Sequence, residues 1–166
     1  MAAKAPEVYK QVEMEITVGG TKLEGDFEFQ SVVISKEANK IPTAIFTILD
    51  GDPSIKDFEL SAGKKPELKP GAEVEIKVKC DATKSISLFK GLLIKHGLKV
   101  RGNSSVMVIE CKDKAVKMTF ARENQFFEKK KDSDIIKTLI GNSGASADVE
   151  ATTFQHPEML KYNTPP

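Results

Sequence analysis

Val12, Met14, Ile16 and Val18 alternate with polar residues, the two-residue period of a half-buried strand. Gly19-Gly20 follows, a pair able to take positive φ and close a hairpin into Thr21-Lys22-Leu23. Phe27 and Phe29 alternate again before Val32, Val33 and Ile34, where the apolar run predicts a strand partly covered on both faces. Ile41-Pro42 interrupts the pattern, and Thr43 to Leu49 reads as a β-branched strand. Ala72, Val74, Ile76, Val78 and Cys80 stand opposite Glu73, Glu75, Lys77 and Lys79, giving one dry and one wet face. In the long run from Ile86 to Val100, Ile86, Leu88, Leu92, Ile94, Leu98 and Val100 share one parity, interrupted by Lys90 and His96. Gly91 and Gly97 within that run predict bulges or sharp curvature. Arg101-Gly102-Asn103 is a turn, and Val106 to Lys112 is the returning strand.

The period then changes. Ile135, Ile136, Leu139 and Ile140 form an apolar helical face, with Asp132 or Ser133 as the N-cap and Asp134 in the first turn. Gly141, Asn142 and Gly144 supply the stop, so a short helix is expected near 133–141. Before it, Lys129-Lys130-Lys131 reads as a solvated connection, and Phe120, Phe126 and Phe127 as core around the helix. Asp50 to Asp57 is a turn cluster, and Lys64 to Gly71 a basic, proline-punctuated loop. Ala147 to Thr152 suggests one more strand, whereas 154–166 carries no pattern of its own.

These elements predict a mainly β fold with minor α. Regular turns between short alternating strands favour an antiparallel, closed or nearly closed β-barrel with one short helix, since closure removes exposed strand edges. The expected organisation is a flexible arm at 1–10, a barrel domain over 11–150, and the start of a truncated following segment at 151–166.

Composition narrows the function more than the fold. A chain of 166 residues buries a core without staples. Its net charge of +1 counts against a dedicated nucleic-acid binder. No apolar run reaches the roughly 18 residues of a membrane span, and MAAKAPEVYKQ lacks the apolar centre of a secretory leader. Cys80 and Cys111 lie outside any CxxC pattern and read as two buried thiols in preference to one disulfide; His96 and His156 are isolated, so no metal is expected. Asp50 and Asp52 lack the further acidic ligands of a calcium loop. There is no phosphate-binding glycine loop, no GxSxG and no HExxH. The expectation is no cofactor, no catalytic residue and no enzymatic activity. The alternating Glu and Lys residues read as a solvated face with cross-strand pairing. The competing reading is a small barrel that binds single-stranded nucleic acid or a peptide, with the lysines at 129–131 beside Phe120, Phe126 and Phe127.

Three segments in order, ISKEANKIPTAIFTILDGDP (34–53), LFKGLLIKHGLKV (88–100) and VIECKDKAVKMTFARENQFFEKKKDSDIIKTLIGNSG (108–144), resemble the N-terminal hub region of VgrG-type spike proteins. Those proteins belong to type VI secretion and related contractile injection systems, and this region is similar to the first barrel of the T4 phage baseplate hub protein. The resemblance implies a structural hub that joins the inner tube to the piercing spike for effector translocation. It implies a homotrimer in which two barrels per chain present six similar surfaces to a sixfold tube. Its implied partners are the tube protein, the spike tip and effectors, with no nucleic acid and no membrane insertion. It also implies assembly in the cytoplasm and export by the machine itself. Family members continue into a second barrel, an OB-like domain and a β-helical needle, so the chain reads as the first part of such a protein or a short form of it.

Overall fold

A computed structural model of the chain describes residues 12–23, 27–51, 58, 60, 68–80, 84–101, 104–120 and 122–164. The expected arm at 1–10, Asp52, Lys64, Lys65 and the turn residues Gly102 and Asn103 lie outside the described residues. The chain divides into two compact units, Met1–Asp113 and Lys114–Pro166. The division therefore falls well before the expected boundary at 150.

The first unit is one antiparallel sheet. Its strands are β1 (Val12–Val18), β2 (Thr21–Lys22), β3 (Phe29–Ser35), β4 (Thr43–Leu49), β5 (Glu73–Cys80), β6 (Ile86–Arg101) and β7 (Ser104–Lys112), in the order β2-β1-β5-β6-β7-β4-β3. Gly19 and Gly20 take φ of 59° and 86°, the two positive values that a tight hairpin between β1 and β2 requires. One face carries the core: Ile16, Val18, Phe46, Ile48, Val74, Ile76, Leu93, Met107 and Ile109 are all essentially removed from solvent. Neither a longer helix nor a second sheet occurs among this unit's described residues to cover that face. The sheet covers it by curling over itself, assisted by Leu23, Leu60 and Leu68 from the connections. Among the described residues no ladder joins β2 to β3, so the curled sheet is open in its hydrogen bonding.

The single parity expected along β6 gives way to two register shifts. Ile76 faces Phe89 while Lys77 faces Ser87, leaving Leu88 as the extra residue; Leu93 faces Cys111 while Lys95 faces Glu110, leaving Ile94. Each extra residue flips the pleat. Phe89 and Leu93 consequently face the core, whereas Ile86 and Leu88 are exposed.

The second unit begins with a 3-10 turn, Lys114–Thr119, which buries Val116. It continues with β8 (Glu123–Lys131), α1 (Asp132–Asn142) and β9 (Gln155–Thr164), and β8 and β9 form a two-stranded antiparallel ribbon. Phe127 of β8 and Ile135 of α1 are buried, and α1 packs on β8. Three expectations are corrected here. The lysines at 129–131 lie in β8, not in a loop; 155–164 is a strand, whereas 147–152 is not; and Phe120 and Phe126 are exposed. The helix also lacks the cap expected from Asp132 or Ser133: Lys131 holds the N-cap position without a side-chain hydrogen bond. Instead, the Ser133 amide donates to Thr152 Oγ1 at 3.1 Å, so a residue distant in sequence satisfies the first turn. Gly144, with φ 76°, ends the helix as expected.

Candidate interaction site

The outer face of the curled sheet is built in rows across β3, β4, β7 and β6. Val33, Ile45, Glu110 and Lys95 form one row; Ser31, Thr47, Val108 and Gly97 form the next; Leu49, Val106 and Lys99 form the third. Directly opposed residues share a face of an antiparallel sheet, so Lys95, Gly97 and Lys99 all point outward beside Val108. The Gly97 position leaves a notch in the second row. A groove of about 490 Å3 opens there, with Lys95, Lys99 and Glu110 at its sides and Ile45, Gly97 and Val108 beneath.

Charge on the outer face is organised around two glutamates. Glu110 meets Lys95 at 3.1 Å and Lys112 at 3.8 Å, and Glu75 meets Lys90 at 3.1 Å and Lys77 at 3.3 Å. For Glu75, desolvation raises the carboxyl pKa, but hydrogen bonds from Lys90, Ser87 and Lys77 outweigh it and hold the group below the usual carboxylate range. Lys22 adds a pair with Glu15 at 3.3 Å. The expected cross-strand pairing on a solvated face is thus present. Val33 and Ile45, opposed across β3 and β4, interrupt it with exposed apolar surface.

The second unit exposes a different surface. Phe126 lies directly opposite Leu160 in the ribbon, and Tyr162 shares their face; all three are more than half exposed. Glu128 and Glu158 oppose each other one step along. Sequence reading missed this face because β9 contains Pro157, which argues against a strand interior. In a two-stranded ribbon the missing N–H is tolerated. Pro157 falls opposite Lys129, which takes φ 51° and whose carbonyl accepts a hydrogen bond from Gln155 Nε2.

The residues considered for chemistry are placed singly. Asp50 is buried, accepting from the Leu60 amide at 3.2 Å through its carboxylate and from Ser105 Oγ through its backbone carbonyl, so it organises a loop. Cys111 is a buried thiol that desolvation, with a contribution from Glu110, pushes up to about 12; Cys80 is half-buried. His96 donates from Nδ1 to the Leu68 carbonyl at 3.0 Å. His156 Nε2 lies 2.8 Å from Asp132 Oδ1, tying β9 to the start of α1, with Phe154 edge-on to its ring. Among the described residues no group of three or more His, Cys, Asp or Glu side chains is arranged to hold a metal ion.

The fold is shared with solved structures of phage-tail and type VI secretion proteins. The 43 kDa tail protein of prophage MuSo2 from Shewanella oneidensis superposes with a TM-score of 0.69 at 10% identity, over 93% of this chain and 45% of that one. An E. coli component of the type VI secretion system, with structural similarity to T4 bacteriophage tail proteins gp27 and gp5, gives 0.63 at 8% identity, over 90% and 39%. The Francisella PdpA–VgrG complex gives 0.60 at 14% identity, over 96% and 24%. The fold is that of phage-tail and VgrG-like spike proteins, and the chain spans less than half the length of each of these three. The chain belongs to the Alg8 N-terminal domain family, whose family model matches residues 9–166. No protein of curated function matches it in sequence.

Proposed function

We propose that the chain is a non-enzymatic structural hub module at the spike base of a contractile injection apparatus. It joins the inner tube to the piercing spike as part of a homotrimer, its sheet forming a closed or nearly closed barrel. The observation that carries this reading is the tail-protein fold, matched over 93% of the chain. The outer face of the sheet, with paired charges around an apolar patch, and the exposed Phe126–Leu160 ribbon face each suit a protein contact. On this reading the protein assembles in the cytoplasm and leaves through the machine, taking up tube protein, spike tip and effectors as partners. The test is co-purification of the full-length protein with its tube protein. A stoichiometric complex that survives gel filtration is expected, and a full-length protein that never associates with tube sinks the proposal.

A second reading, a module for single-stranded nucleic acid or a peptide, draws on one observation: Phe126 is exposed on the strand that carries the lysines at 129–131. Tight binding of single-stranded nucleic acid that weakens steeply with salt would favour it over the hub.

A further inference from the structure

Gly97 sits inside β6 without an intramolecular reason for being glycine. Its φ lies outside the left-handed region, and a Cβ built there meets no atom within 4 Å. Gly91 on the same strand is the contrast, since its Cβ would meet the Lys112 carbonyl oxygen at 2.2 Å. A strand glycine costs roughly 0.5–1 kcal/mol relative to alanine. Such a glycine marks a bulge, a tight bend or a place where another backbone or a ligand comes close. The register shift of β6 against β7 lies between Leu93 and Lys95 rather than at Gly97, and the groove over Gly97 gives a visitor access. The surroundings specify the visitor. Lys95 and Lys99 flank the notch at two-residue spacing on the same face, and Lys95 is 73% exposed although it pairs with Glu110. Glu110 is also shared with Lys112, so the groove carries an excess of positive charge. Beneath it, Val108 and Ile45 are apolar, and Val33 continues that surface outward.

We propose that this groove is a docking site for an extended segment of a partner protein with the pattern acid–x–apolar–x–acid. In an extended chain, residues two apart lie about 6.5–7 Å apart on one face. The central apolar side chain fills the notch over Gly97 and Val108, and the flanking carboxylates meet Lys95 and Lys99. The proposal does not depend on the hub reading.

The test is a titration of the isotope-labelled full chain, followed by amide chemical shifts, with the blocked peptide Thr-Glu-Thr-Leu-Thr-Glu-Thr. Saturable shifts confined to 95–99 and 106–110 are expected, with none from the counterpart carrying Lys in place of Glu. Gly97→Leu, whose Cβ falls in open space and whose side chain would occupy the notch, should weaken binding by about tenfold or more while leaving distant shifts unchanged. The exposed double variant Lys95→Glu/Lys99→Glu should lose the acidic peptide as an independent check. The proposal is overturned by absence of shifts at millimolar peptide, by acetate alone giving the same shifts, or by Gly97→Leu or the double variant binding as tightly as wild type.

Discussion

The carbonyl oxygen of Lys112 stands 2.2 Å from where a Cβ on Gly91 would lie, so β6 and β7 meet at a point that admits only glycine. Gly91→Ala must displace backbone and should destabilise the first unit by on the order of 2 kcal/mol or more. Gly97→Ala, in open space, should be neutral or stabilise by about 0.5–1 kcal/mol. Urea denaturation of the two variants side by side checks this, and equal effects would contradict the difference in packing.

The two thiols should separate by reactivity. Cys111 is buried and its pKa is pushed up to about 12, so a disulfide reagent near neutral pH should reach it only through unfolding. Cys80 is half-buried and should be modified first. The sign at alkaline pH follows from the shift. The unfolded thiol ionises first, so the native state loses stability as pH rises from about 9 towards about 12, and Cys111→Ala should remove that part of the alkaline decline.

For Glu75 the sign is opposite. Its folded carboxyl titrates below its ordinary value, so its contribution is fully present above the unfolded pKa and is lost as pH falls through the folded one. The stability gap between wild type and Glu75→Gln should therefore close on acidification, and should narrow in high salt because the lysine partners are solvated.

Thr152→Val removes the side-chain acceptor for the Ser133 amide and should cost about 1 kcal/mol. Amide exchange in the first turn of α1 should accelerate while the seven-stranded sheet is unaffected.

Strands with a clear local signal could be read directly: β1 and β5 alternate apolar and polar residues, β4 is a β-branched run, and all three stand within a residue of where those patterns put them, although the start of β1 leaves Val12 and Met14 exposed. β6 could be located but not oriented, since the extra residues Leu88 and Ile94 flip its pleat and no local signal distinguishes them from their neighbours. β9 was hidden by Pro157, and the cap of α1 by the distance between Thr152 and Ser133. The groove was only half visible. The spacing Lys95-x-Gly97-x-Lys99 is in the sequence, but Gly97 read as curvature until the register put it between Val108 and open space. Phe126 reads as core in the sequence because nothing local marks Leu160 as its strand partner.

The central claim is that this curled sheet works as one segment of a ring at a tube end. Cryo-electron microscopy of the full-length protein assembled with its tube protein tests it most directly. The account predicts a threefold particle in which each protomer places this sheet in the ring that meets the tube. A monomeric particle, or a trimer that holds this sheet away from the tube, would contradict it.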